Sequence, residues 1–127
     1  MQIAAVAVSA TELSRAVAFY ELLGFRFPAP EADTKHLEAE DRAGIRLMID
    51  DAAFLAELHG EPPRPGNTAG FALLTESPVD VDAATSRVAA AGHVVVTGPY
   101  DAPWGQRYAT VEDPDGYRID LFCPLPG

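Results

Sequence analysis

At 127 residues the chain has the length of one domain, enough to bury a core without cross-links, and its single cysteine, Cys123, excludes an internal disulfide framework. A net charge of −10, with nine Lys and Arg against 19 Asp and Glu, argues against nucleic acid, which needs a basic footprint. No apolar run approaches the ~20 residues of a membrane span, and a lone cysteine favours a reducing, cytoplasmic setting.

Residues 3–9 are small and weakly alternating, as in a strand; they lack a basic leader and soon meet Glu12, so they do not read as a signal peptide. Thr11 then caps a helical stretch to Leu23, with Leu13, Val17, Tyr20 and Leu23 at three- and four-residue spacing and Gly24 as its stop. Residues 25–27 could form a strand ended by Pro28 and Pro30. A strand–turn–strand over 35–50 and a short helix near 52–58 follow. Residues 61–67 (EPPRPGN) carry three prolines and read as a linker between module one (1–60) and module two (68–127). The second module, starting at Thr68, offers a strand at 71–75. A helix over 79–91 has Val81, Ala84, Val88 and Ala91 inward, and Gly92 stops it. A strand at 94–97, a loop at 100–106 and a hairpin over 107–122 complete the chain.

The two halves echo one another. HLEAEDRAGIRLMID (36–50) returns 72 positions later as YATVEDPDGYRIDLF (108–122), with Glu40, Asp41, Gly44 and Arg46 recurring as Glu112, Asp113, Gly116 and Arg118. Each copy predicts strand, tight turn, strand, and the whole predicts an α+β fold of order βαβββ taken twice. Asp113, Pro114 and Gly116 are turn chemistry, since proline presets φ and glycine accepts a positive one. Cys123 has no histidine near it in sequence, no Gly-rich phosphate loop is present, and Ser9 and Ser14 lie in no nucleophile motif.

AVAFYELLGF (16–25), the duplicated unit and WGQRYATVEDPDGYRIDLF (104–122) resemble the vicinal oxygen chelate superfamily, which includes glyoxalase I, extradiol dioxygenases, fosfomycin-resistance transferases and bleomycin-resistance proteins. The resemblance implies two βαβββ modules forming a cupped mixed sheet with helices outside, and a homodimer. It leaves the activity open, because one scaffold hosts several chemistries. It also implies metal ligands on the first and last strands of each module. Those positions fall on Ala5, Met48, Gly70 and Asp120, and one aspartate cannot hold a divalent ion alone. His36, His59 and His93 read as surface or loop histidines. The expectation is therefore no metal, no cofactor and no catalytic residue.

Strand parity suggests what the cup holds instead. If Asp120 faces inward, Arg118 and Phe122 share its face. Pairing across the DPDG turn then sets Phe122 opposite Arg107, Asp120 opposite Ala109 and Arg118 opposite Val111. The echo adds Leu37, Ala39, Arg46, Met48 and Asp50 from the other half. The first strands add small residues, leaving either an open pocket or a space into which neighbours collapse. Trp104 could stack on a planar ligand or close one end of the core. Arg107 could hold an anionic group or neutralise Asp120. The expected ligand-binding set is Trp104, Arg107, Asp120, Phe122, Met48 and Leu37. The expected function is metal-free binding of a small organic molecule, such as an aromatic antibiotic or secondary metabolite. The alternative is a metal-dependent lyase, isomerase or dioxygenase.

Overall fold

The computed structural model describes residues 2–40, 44–66 and 70–127. Asp41 of the echo, Asn67 at the linker's end and the expected module start at Thr68 lie outside the described residues. The chain divides into two compact units, Met1–Pro65 and Gly66–Gly127, and the fold is α+β. The first unit runs β1 (Ala5–Ala10), α1 (Leu13–Leu22), β2 (His36–Glu38), β3 (Arg46–Asp51) and α2 (Ala52–His59). The second runs β4 (Phe71–Leu74), α3 (Pro78–Ala90), β5 (Val94–Ala102), β6 (Gln106–Glu112) and β7 (Arg118–Pro124). The sheets are ordered β1-β3-β2 and β4-β7-β6-β5. In each, the opening strand runs parallel to the closing one, which pairs antiparallel with its hairpin partner.

The helices form where apolar residues recur at helical spacing. α1 buries Leu13, Ala16, Val17, Phe19 and Tyr20 and packs against β1 and β3. Its N-cap is Glu12 rather than Thr11, and makes no side-chain capping bond. α3 opens on Pro78, where a missing N–H costs nothing, and buries Val81, Ala84, Thr85 and Val88 against its sheet. Ala91, expected inward, is the exposed C-cap. Gly24 and Gly92 follow α1 and α3 with φ of 98° and 87°, a conformation that suits glycine. Asp51 caps α2 by accepting from the Phe54 amide at 2.9 Å. Among the described residues no helix is long and apolar enough to cross a membrane.

Two elements differ from expectation. The strand at 25–27 does not form: the Phe25 amide turns back to the Tyr20 carbonyl at 3.2 Å, the Arg26 carbonyl takes the Glu40 amide at 2.8 Å, and Pro28 and Pro30 supply no donors to extend a ladder. β5 is longer than expected and carries Tyr100–Ala102, with register shifts between Val95 and Thr97 and between Thr97 and Tyr100. A stretch read as ending at Thr97 continues because one irregularity absorbs Val96 and the next takes up Gly98 and Pro99.

The third difference is one of register, and it decides what the site contains. Glu112 pairs with Arg118, Thr110 with Asp120 and Tyr108 with Phe122. The turn explains this. The Gly116 amide donates to the Asp113 carbonyl (3.0 Å), and the Asp113 amide donates to the Tyr117 carbonyl (2.8 Å). Gly116 has φ of 96°. This is a type I turn closed by a glycine bulge, in which Gly116 and Tyr117 together oppose Asp113. The Asp113 carboxylate accepts from the Asp115 and Tyr117 amides, each at 2.9 Å, and fixes the loop. The extra residue moves the pairing by one place, so β6 presents its even-numbered residues beside Asp120. Arg107, Ala109 and Val111 lie on the opposite face. In the first unit Leu37 pairs with Ile49 and Glu38 with Met48, so Leu37 and Ala39 are likewise buried away from Met48.

Candidate functional site: an aromatic face around a hydroxyl-clamped aspartate

On β7, Arg118, Asp120 and Phe122 alternate with the buried Ile119, Leu121 and Cys123. The buried set faces α3. Arg107, on the same side of β6, donates from Nε and Nη2 to Asp82 of α3 at 2.9 and 3.0 Å. It also reaches Asp101 at 3.1 Å. These two carboxylates, Asp82 foremost, hold the guanidinium above its usual pKa. Arg107 thus ties helix to sheet and does not neighbour Asp120, as sequence parity had suggested.

The other face carries Asp120, and its two oxygens are each engaged by an uncharged hydroxyl. Tyr108 Oη donates to Oδ2 at 2.5 Å and Thr110 Oγ1 donates to Oδ1 at 2.7 Å. Direct pairing places both donors opposite or diagonal to the aspartate. Burial first, and then the carboxylate of Asp120, push the Tyr108 phenol up to about 12, so it stays a neutral donor near pH 7.

Four rings surround this centre. Tyr108 lies 6.5 Å from Phe122, centroid to centroid, tilted by 33°. Tyr100 on β5 stands opposite Tyr108, with centroids 6.3 Å apart. Trp104 occupies the tight turn joining β5 to β6, which Gly105 permits with φ of 87°. Its ring is 5.3 Å from Tyr108 and 6.4 Å from Tyr100, nearly perpendicular to both. The indole Nε1 donates to Gln106 Oε1 at 2.9 Å, yet Trp104 remains 58% exposed.

The corresponding face of the first unit is charged instead. His36 sits between Asp50 (Nδ1 to Oδ1, 2.6 Å) and Glu38 (Nε2 to Oε2, 2.9 Å), and Arg46 donates to Glu38 at 2.7 Å. The hydrogen bond to Glu38, then that to Asp50, raise the imidazole above 6.5, favouring the form that donates from both nitrogens. Half-buried Met48 pairs with Glu38 and lies beside Ala7.

The metal positions can now be tested. Two of the four expected positions move: Ala5 pairs with Arg46 and Gly70 precedes β4, so the residues beside Met48 and Asp120 are Ala7 on β1 and Ala72 on β4. Neither alanine is a donor, the methionine sulfur is soft, and the aspartate oxygens already accept from two hydroxyls. Among the described residues no three His, Cys, Asp or Glu are grouped to hold an ion. These residues do not fit a catalytic divalent metal.

Of the expected ligand set, Trp104, Asp120 and Phe122 come together on one face, Met48 lies on the open face of the first unit, and Arg107 and Leu37 lie on helix-side faces. Tyr100, Gln106, Tyr108 and Thr110 were missed. For the three on β6 the signal was the spacing Asp113-x-x-Gly116, which marks a bulged turn; Tyr100 lies on the part of β5 read as loop.

Among relatives, an uncharacterized protein of Mycolicibacterium smegmatis is 29% identical over 120 residues, covering 94% of this chain and 91% of its own. An uncharacterized protein of Mycobacterium tuberculosis H37Rv is 31% identical over 101 residues, 79% of this chain; the match spans only 58% of that longer protein. The crystal structure of a glyoxalase/bleomycin resistance protein/dioxygenase from Nocardioides superposes with a TM-score of 0.73 at 26% identity, covering all of this chain and 85% of that one. A family model spans residues 2–121, and the chain belongs to the Glyoxalase/Bleomycin resistance protein/Dioxygenase superfamily.

Proposed function

We propose that the protein binds a small planar aromatic molecule on the open face of the second unit's sheet and sequesters it without a catalytic metal. An aromatic antibiotic or other secondary metabolite fits this description. The observation that carries the reading is Trp104: the only tryptophan stands 58% exposed at a turn, held by Gln106 and braced edge-on by two tyrosines. A large ring fixed in place yet left uncovered is poorly explained by core packing and well explained by stacking on a ligand. Each well-placed aromatic contact adds about 0.5–1.5 kcal/mol beyond the area buried. Asp120, orientated by its two hydroxyls, supplies the polar group that sets the ligand's direction. Lyase, isomerase or dioxygenase chemistry that depends on a metal needs donors which Ala7, Met48 and Ala72 do not provide. Exposed apolar side chains such as Leu74 and Val79 are consistent with a homodimer, which light scattering on the eluting protein would establish.

The test is a titration of Trp104 emission with a panel of planar aromatic compounds. Saturable quenching by at least one member, weakened by Tyr108→Leu and Phe122→Ala, is expected. Emission that changes only linearly with every compound, or saturable binding indifferent to both substitutions, would remove the reading.

A further inference from the structure

The charge balance on the aromatic face names the class of ligand more closely, given the binding reading above. Asp120 is held by neutral hydroxyls, and among the described residues no Lys, Arg or His lies within ion-pair distance of it. The two arginines of this hairpin are engaged elsewhere: Arg118 faces Glu112 at 3.6 Å, and Arg107 is turned to Asp82 and Asp101 on the other side of the sheet. Among the described residues the aspartate is thus a half-buried carboxylate without a side-chain counterion, ringed by π systems.

The rings are disposed to meet a cation. The centroids of Tyr100, Trp104 and Tyr108 form a triangle with sides of 5.3, 6.3 and 6.4 Å, and their planes cross at 66–87°. A positive group seated in the corner between two of these crossed planes can face both rings within the about 6 Å over which their quadrupoles attract it. Tyr100 and Trp104 are open to solvent at 37% and 58%, so the group can enter without displacing the core. A net charge of −10 adds a long-range field of the same sign.

We infer that the face selects cationic aromatic ligands: a planar ring system bearing a quaternary or protonated nitrogen, the ring on Trp104 and Phe122 and the nitrogen between the tyrosines and Asp120. Cation–π and carboxylate attraction act on the charged ligand alone, so it should exceed its neutral isostere by about fivefold or more.

The full chain is titrated calorimetrically at pH 7.5 with N-methylquinolinium, quinoline and 2-naphthalenesulfonate, and the single Trp104 indole N–H resonance reports the place of binding. The expected order is quinolinium above quinoline above sulfonate, with the first advantage shrinking as salt is added. Asp120→Asn, checked for folding by circular dichroism, should bring the quinolinium-to-quinoline ratio towards one. Tyr100→Leu, which leaves the hydroxyl clamp intact, should lower it in part. Quinoline binding as tightly as quinolinium overturns the cation selectivity while the aromatic site stands. A ratio unchanged in both variants removes Asp120 and the tyrosines as its source. Binding by none of the three compounds overturns this inference and the aromatic site together.

Discussion

The bulged turn at Asp113–Gly116 makes a prediction that separates two adjacent residues of β6. Val111 is fully buried and pairs with Ile119, whereas Thr110 faces the open side beside Asp120. Val111→Ala removes two methyl groups from the layer under α3. Transfer alone is worth about 1.6 kcal/mol at ~0.8 per group, and the cavity left in a core that relaxes only partly raises the loss to about 2–3 kcal/mol. Thr110→Ala removes one hydrogen bond to a carboxylate that Tyr108 continues to satisfy; at this half-buried position it costs about 1.5 kcal/mol, the low end for a bond to a charged group. Urea unfolding followed by circular dichroism should give the larger midpoint shift for Val111→Ala, with slopes unchanged in both variants. A pairing without the bulge places Val111 on the open face and reverses the order. A Thr110→Ala loss exceeding that of Val111→Ala would therefore refute the register and with it the composition of the site.

Three further outcomes follow from the charged and hydroxyl groups. The ring proton of His36 should titrate above pH 6.5 by NMR, and Glu38→Gln should lower that midpoint. Because the folded value is the raised one, the stability His36 contributes is complete below pH 6.5 and is lost as pH rises through the folded pKa; melting temperatures measured across this range should fall accordingly. Of the four tyrosines, Tyr108 should ionise near pH 12 by absorbance at 295 nm and move towards 10 in Asp120→Asn; its contribution to stability is present below pH 10 and disappears between about 10 and 12. Arg107→Gln should lower the melting temperature by releasing α3 from β6, yet leave quenching of Trp104 by a bound aromatic ligand in place. Loss of binding with stability intact would return Arg107 to the ligand.

Much of the architecture was legible because it rests on local patterns. Gly24 and Gly92 marked both helix ends, the apolar spacing of Val81, Ala84 and Val88 marked the buried side of α3, and the 72-residue echo marked the two hairpins. The shared face of Asp120 and Phe122 was legible from alternation along one strand, and the turn position of Trp104 from the loop residues around it. What alternation cannot supply is the phase between two strands. That phase depended on whether the turn held four residues or five, and the bulge at Gly116 set it. The same one-place error exchanged Arg107 for Tyr108 and Leu37 for Glu38. The ties of Arg107 to Asp82 were invisible for another reason: they join residues 25 positions apart through a packing that no periodicity encodes.

The two hairpins share one offset: His36 stands against Asp50 as Tyr108 stands against Phe122. Duplication has preserved a coordinate frame while exchanging its tenants, histidine for tyrosine, glutamate for threonine, methionine for aspartate. Positions on this lattice can be rewritten one at a time, because the buried rows on the reverse side never see them. Length is another matter. A residue gained or lost at the turn would transpose the wet and dry rows of β6 in a single event, delivering Val111 to solvent and Asp120 a new set of neighbours. A scaffold of this kind is free to explore ligands by spelling and constrained against exploring them by spacing.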